Sequence, residues 1–286
     1  MLVIIGALIV LGCVAGGFKM AGGQLMSLWH PSEFVTLGGA ALGALVIMAP
    51  MRVMKGLISQ IIGTLKPSPF TKAAYQEMFM ALYELFMIGR RNGMIALEEH
   101  VVTPASSSIF SKYPTFLKNH HAVDFLCNSL RPIIDGKMKP EQLKVLLDLE
   151  LEAMEDEHHQ PVGVLQKTGD GLPGFGIVAA VLGIVITMGA INGPIEEIGH
   201  KVGAALVGTF LGILAAYGFV NPLTVTMEFN GASEMLYFKS MAAAVVGFAN
   251  GMAPVMAVEV ARRGLTSDVK PSAEALEEML KGIGKK

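Results

Sequence analysis

Charge is the scarcest thing in this sequence. Asp, Glu, Lys and Arg make up 16% of its 286 residues, against about 25% in an ordinary soluble domain. The formal net charge of −2 offers polyanions no general attraction, which excludes a nucleic-acid binder built on a basic surface. Cysteine is nearly absent. Cys13 lies in an apolar run and Cys127 in a charged stretch, so both are read as free thiols and a disulfide scaffold is excluded. There is no P-loop and no G-x-G-x-x-G following a strand, so no nucleotide site is visible; Gly171, Gly174 and Gly176 cluster, but they open an apolar run. No Ser/His/Asp or Cys/His set stands out, so no catalytic residue is assigned and an enzyme is not expected. The pairs His120-His121 and His158-His159 are read as solvated, because adjacent residues on a helix face different ways. No metal and no cofactor are expected.

What the sequence has instead is apolar surface. Apolar residues make up 52% of the chain and its mean hydropathy is positive. A membrane-spanning helix needs about 20 mostly apolar residues. Four runs are free of side-chain charge: 1–18 before Lys19, 34–51 between Glu33 and Arg52, 171–195 between Asp170 and Glu196, and 202–227 between Lys201 and Glu228. They predict spans near 2–20, 34–51, 173–192 and 203–222. The first two are joined through a turn holding Gly22, Gly23 and Trp29, the last two through Gly193 and Pro194, which makes two hairpins. The start has no basic segment before its apolar run, which argues against a cleaved signal. Val10-Leu-Gly-Cys13 is only faintly similar to a lipoprotein cleavage site, and the run is read as an uncleaved first span.

A fifth uncharged run, 240–258, is rich in Ala, Gly and Met. Lys and Arg decide how to read it. Residues 52–170 carry thirteen of them and 223–286 carry seven, whereas the two turns carry Lys19 and Lys201 alone. The positive-inside rule puts the middle segment and the tail in the cytoplasm, with both termini. An even number of spans then separates them, so 240–258 is expected to pack without crossing.

The fold expected is an all-α membrane protein, with four transmembrane helices in two hairpins and a helical cytoplasmic domain between spans two and three. The boundaries are 1–51 for the first hairpin, 52–171 for the cytoplasmic domain, 172–223 for the second hairpin and 224–286 for cytoplasmic C-terminal helices and tail. In the middle domain Tyr75, Phe79, Leu82 and Phe86 recur at helical spacing, and Leu143, Leu147, Leu151 and Met154 line one face of a helix after Pro140. The tail after Thr266 is polar and is expected to be partly disordered at its Lys-rich end.

Intramembrane ionisable residues usually mark an ion path, and the four predicted span cores contain none. Their polar candidates are Thr36, Thr187 and Thr209, each of which can instead bond its own helix. Gly39 and Gly43, and Gly208 and Gly212, have the spacing of close-packed helices; the second pair, with Ala204, is the stronger candidate for a seam. Pro173 opens span three and Pro222 closes span four, where it frees the carbonyl of Gly218 and permits a kink. Two prolines at one membrane level suit a hinge. Arg90, Arg91, Glu98 and Glu99 form a charged cluster; on a continuous helix Arg90 and Glu98 would be about 12 Å apart along the axis. Such a cluster is either a solvated face or an electrostatic contact surface.

These parts together resemble the MotA family of bacterial flagellar stator proteins. Val207-Gly-Thr-Phe-Leu-Gly-Ile-Leu-Ala-Ala-Tyr-Gly-Phe-Val-Asn-Pro-Leu223 resembles that family's fourth-span signature. Asp170-Gly-Leu-Pro-Gly-Phe-Gly-Ile-Val-Ala-Ala180 resembles the start of its third span, and Gly89-Arg-Arg-Asn-Gly-Met-Ile-Ala-Leu-Glu98 its cytoplasmic motif. The resemblance implies a ring of five such chains around two copies of MotB in the bacterial inner membrane, each MotB supplying a membrane aspartate that takes up the proton. It implies that proton flow is coupled to torque on the rotor through FliG. Pro173 and Pro222 then correspond to the prolines that pass on protonation, Thr209 to the threonine facing the ion path, with Thr187 and Ala180 beside it, and Arg90 and Glu98 to the rotor-contact charges. The neighbouring Arg91 leaves open which arginine meets the rotor. Sodium-driven PomA-like relatives carry threonine where this chain has Ala180, which favours protons. An ExbB/TolQ-like energiser is the alternative within the superfamily, against which four spans and the Arg90/Glu98 motif argue. A self-contained secondary transporter would want intramembrane charge or broken helices.

Overall fold

Prolines and glycines punctuate an otherwise helical chain. The computed structural model describes residues 2–283, and among them there is no strand. The helices are α1 (Leu2–Met20), α2 (Pro31–Met48), α3 (Met51–Thr64), α4 (Lys72–Asn92), α5 (Glu98–Val102), α6 (Pro114–Lys118), α7 (His120–Ile134), α8 (Pro140–Gly189), α9 (Ile195–Ala215), α10 (Asn221–Ala249), α11 (Pro254–Arg263) and α12 (Ala273–Ile283). The protein is all-α, with four stretches long and apolar enough to cross a membrane: Leu2–Met20, Leu25–Met48, one within Pro140–Gly189 and one within Ile195–Ala249.

The ends of these stretches differ from the charge-free runs. α2 starts at Pro31, which occupies the first helical position where its missing N–H costs nothing. It therefore takes in Glu33, which the run 34–51 left outside. It stops at Met48 because Ala49, preceding Pro50, is held in extended backbone. Pro173 does not open a helix: it lies inside the 50-residue α8, as does Pro161. Pro222 does not close one either. α9 passes through a π-helical turn, Ala216–Val220, straight into α10. A proline at 222 cannot donate to the carbonyl of Gly218, and the widened turn directly before it is a common way to absorb that loss.

Contacts divide the chain into two units, and α8 and α10 contribute to both: residues 1–67 with 157–230, and 68–156 with 231–286. In the first unit Leu37 and Ala41 of α2 pack with Leu172 and Ala216. Leu45 of α2 and Leu57 of α3 join Val162, Leu165 and Met227. α1 buries no residue and is apolar all round, as a lipid-facing span is. α3 is amphipathic: Val53 and Leu57 point inward, while Arg52 donates to Glu157 at 2.8 Å and to Gln160 at 2.7 Å.

The second unit is a conventional apolar core. Tyr75, Phe79, Leu82 and Phe86 of α4 are buried as their spacing predicts, and so are Leu143, Leu147 and Leu151 of α8. Thr71 caps α4 by accepting from the Ala74 N–H. Phe86 stacks on Phe248 with centroids 4.3 Å apart and planes 7° from parallel. Within 240–258, Met241, Ala244, Val245, Phe248, Ala257 and Val258 are all buried in this core. In the tail, residues 273–283 form α12, whose Leu276 and Leu280 are buried. An i, i+4 leucine pair with charges between is enough to dock a helix that reads as polar overall. The Lys-rich end expected to be disordered, Lys285 and Lys286, lies outside the described residues.

Candidate functional site

Three glycines spaced by seven residues, Gly169, Gly176 and Gly183, fall on one face of α8. Each meets the returning chain closely: Gly176 against backbone, Gly183 against Ala205, and Gly169 against the Val220 and Asn221 side chains. A Cβ on Gly183 would come within 2.7 Å of the Ala205 Cβ. One on Gly176 would come within 2.8 Å of the Gly208 carbonyl oxygen, 3.1 Å of the Thr209 Cα and 3.3 Å of the Gly212 Cα. One on Gly169 would strike the Asn221 amide oxygen and come within 2.8 Å of Val220 Cγ1. α8 and α9 therefore run antiparallel along a seam of glycines and small side chains that brings their backbones close, the arrangement small residues permit in membranes. Gly208 and Gly212 belong to this seam as their spacing predicts. Gly39 and Gly43 do not: a Cβ on either would meet nothing within 4 Å.

The seam positions the predicted polar and proline residues. Thr209 is half-buried, and its hydroxyl reaches across to donate to the Gly176 carbonyl at 3.5 Å. The Thr187 hydroxyl instead donates at 2.8 Å to Gly183 of its own helix. Ala180 is half-buried, with its amide nitrogen 3.5 Å from where a Cβ on Gly208 would stand. Thr36 is half-buried on α2. Pro173 follows Gly169 by one turn and Pro222 follows Val220, so both prolines lie at the Gly169 end of the seam. There Asn221 also donates to Asp170 at 3.4 Å.

One residue of this region was invisible to a search for charge inside the uncharged runs. Glu33 is 7% exposed. Its Oε2 is buried without a hydrogen-bond partner and stands 2.5 Å from the position a Cβ on Gly208 would take. His30, just before α2, has a buried Nδ1 that is likewise unpartnered. The available signal was Pro31, which marks a helix start two residues ahead of Glu33.

The charged cluster lies in the second unit. Arg90, Arg91 and Glu98 are exposed, and none of them makes an ion pair among the described residues. They do not share one helix. Gly93, with φ +87°, ends α4, and residues Met94–Leu97 form a tight turn leading to α5, so the 12 Å axial spacing does not apply. Behind them His100 is buried and bonded to Ser107 at 2.9 Å, and Leu97 is buried beside Gly89. No group of three or more candidate metal ligands exists among the described residues.

Fold and seam define a multi-span helical membrane protein whose spans meet through glycines and small side chains rather than a reactive side-chain set. Comparison with known proteins says which. Residues 4–93 match the family described as Motility protein A N-terminal, and residues 117–233 the MotA/TolQ/ExbB proton channel family. The chain is 38% identical over 283 residues to Motility protein A of Salmonella typhimurium and to that of Escherichia coli, covering 99% of this chain and 96% of each relative. It is 38% identical over 276 residues to chemotaxis protein LafT of Vibrio parahaemolyticus, covering 96% and 97%. The fold is shared with the C. jejuni MotAB structure (TM-score 0.77, 21% identity, 95% of this chain and 98% of that one) and with the MotAB stator complex of Bacillus subtilis (0.74, 22%, 96% and 98%). The chain belongs to the motility protein A family, a family of membrane proton channels and not of enzymes.

Proposed function

We propose that this chain is a stator subunit of the bacterial flagellar motor that forms a proton channel with a MotB-type partner and turns proton flow into torque. The observation that carries this reading is the 38% identity to Motility protein A over nearly the whole chain. The structure supports it through the glycine seam and the Thr209 contact. The proposed assembly is a ring of five chains around two MotB copies in the inner membrane, both termini cytoplasmic, each MotB contributing the aspartate that accepts the proton. Residues 1–51 and 172–223 form the two membrane hairpins, 52–171 the cytoplasmic domain and 224–286 the cytoplasmic C-terminal part.

In this reading Thr209 faces the ion path, with Ala180 and Thr187 nearby. Pro173 and Pro222, gathered at one end of the seam, pass the change at the aspartate to the cytoplasmic helices. Exposed, unpaired Arg90, Arg91 and Glu98 engage FliG of the rotor, where complementary charges set register and rate. The coupling ion is the proton, supported by alanine at 180; a PomA-like sodium drive is the second reading.

The test is swimming speed of cells carrying this chain and its partner, at fixed membrane voltage, with external sodium varied and a protonophore titrated separately. Speed that ignores sodium and collapses with protonophore supports the proposal. Speed that follows sodium keeps the stator and removes the proton. Full motility without this chain and without other stator genes removes the stator reading and favours an ExbB/TolQ-like energiser.

A further inference from the structure

We propose that Glu33, assisted by His30, is a proton-accepting station belonging to this chain itself, set against the α8/α9 seam. This rests on the proton-conducting reading above and adds to it a titratable group other than the partner's acid.

Glu33 is the third residue of α2, where an acid ordinarily serves the helix terminus by accepting from free backbone N–H groups in solvent. This carboxyl does something else. It is buried, one oxygen has no partner, and it is aimed at a neighbouring helix. The space it uses exists because residue 208 is glycine: the Ala179 Cβ is 2.9 Å and the Ala180 nitrogen 3.5 Å from the same vacated Cβ position. The carboxyl is therefore lodged where α2, α8 and α9 meet, one residue from Thr209. An ionisable group placed among apolar neighbours inside a membrane unit is costly and is kept for a function.

Its surroundings select the ligand. α8 and α9 face it with Ala179, Ala180 and Gly208, none ionisable. From its own side His30 and Ser32 act on it, and of these His30 is ionisable. A hard metal cation wants several oxygen ligands, and alanine and glycine side chains provide none. A proton needs one lone pair, which Oε2 has free, and His30 Nδ1 is a second unpartnered atom that can hold it. In the step proposed, a hydrated proton forms an O–H bond with Oε2 and releases water. That O–H bond later breaks as the proton passes to the partner's carboxylate, which regenerates the Glu33 carboxylate.

The test uses the full chain with its membrane partner in liposomes, with proton flux measured against outside pH. Glu33→Gln is expected to cut flux about tenfold or more while co-purification with the partner is unchanged. Glu33→Asp keeps the acid but withdraws it by one methylene, and is expected to retain flux with a pH midpoint moved by about half a unit or more. His30→Gln should move that midpoint too. Gln flux within about twofold of wild type at every pH overturns the proposal. If the Gln variant does not assemble, an unchanged Asp profile overturns it instead. Flux driven by a sodium gradient at fixed pH and lost in Glu33→Gln overturns the proton assignment. A wild-type complex that conducts neither protons nor sodium defeats the stator reading itself, a result separable from all of these.

Discussion

Gly176 of α8 lies directly against Gly212 of α9: a Cβ on Gly176 would stand 3.3 Å from the Gly212 Cα and 2.8 Å from the Gly208 carbonyl oxygen. Backbone cannot swing aside as a side-chain tip can, so any larger residue at 176 must part the helices.

Gly176→Ala is therefore expected to destabilise the first unit by about 1–3 kcal/mol, the usual cost of overpacking, and to depress ion flux. Gly39→Ala, which meets nothing within 4 Å, should leave both unchanged. Melting of the detergent-solubilised complex compares the two; equal shifts would mean that the seam is not tightly packed.

Thr209 and Thr187 should respond differently to loss of the hydroxyl. Thr209 bonds across the seam and Thr187 within its own helix. Thr209→Val is expected to lower proton flux severalfold, and Thr187→Val to change it by less than about twofold, since a helix satisfies its own carbonyls without that bond. A larger loss at 187 would reverse their assigned importance.

In the second unit Gly89 leaves room for Phe248, whose ring carbon is 2.8 Å from the position of a Cβ at 89. Phe248→Ala is expected to cost about 3–5 kcal/mol. Gly89→Ala should cost less, because the ring and the Leu97 side chain can shift. Circular-dichroism melts of the full chain test the ordering.

Glu259 is held by Arg262, with bonds of 2.7 and 2.8 Å, and by Arg263. Hydrogen bonding to Arg262 is the main reason its carboxyl titrates near 2 instead of its ordinary 4.5. A folded-state value below the unfolded one gives stability that is complete above about 4.5 and is lost as pH falls toward 2. Glu259→Gln should cost roughly 1–2 kcal/mol at neutral pH, and the gap from wild type should close over that acid window. A constant gap down to pH 2 would contradict the pairing.

Cys127 is buried in the second unit, and burial pushes its thiol up to about 11. Thiolate is the reactive form, so maleimide at neutral pH should label Cys127 slowly in the folded chain and rapidly after denaturation. Comparing wild type with Cys13→Ser isolates the signal.

Much of this was legible in the sequence, and for a physical reason. Burial in lipid tolerates almost no charge, so uncharged runs announce the spans. Helical spacing likewise announced the α4 face of Tyr75, Phe79, Leu82 and Phe86, and the small-residue spacing of Gly208 and Gly212. These signals are local: each depends on residues a turn or two apart. The family motifs around Arg90, Pro173 and Thr209 are equally contiguous.

What was not legible depends on chain segments that meet across space. Pro173 and Pro222 read as helix ends, because proline ends helices locally; packing carries α8 through one, and a π-helical turn absorbs the other. Gly39 and Gly43 have the spacing of a seam, but no other segment of this chain packs on them. Glu33 read as a boundary charge outside a span. Only the meeting of α2 with Gly208 decided that it is buried, since the room for its carboxyl is made by a hydrogen atom on a residue 175 positions away.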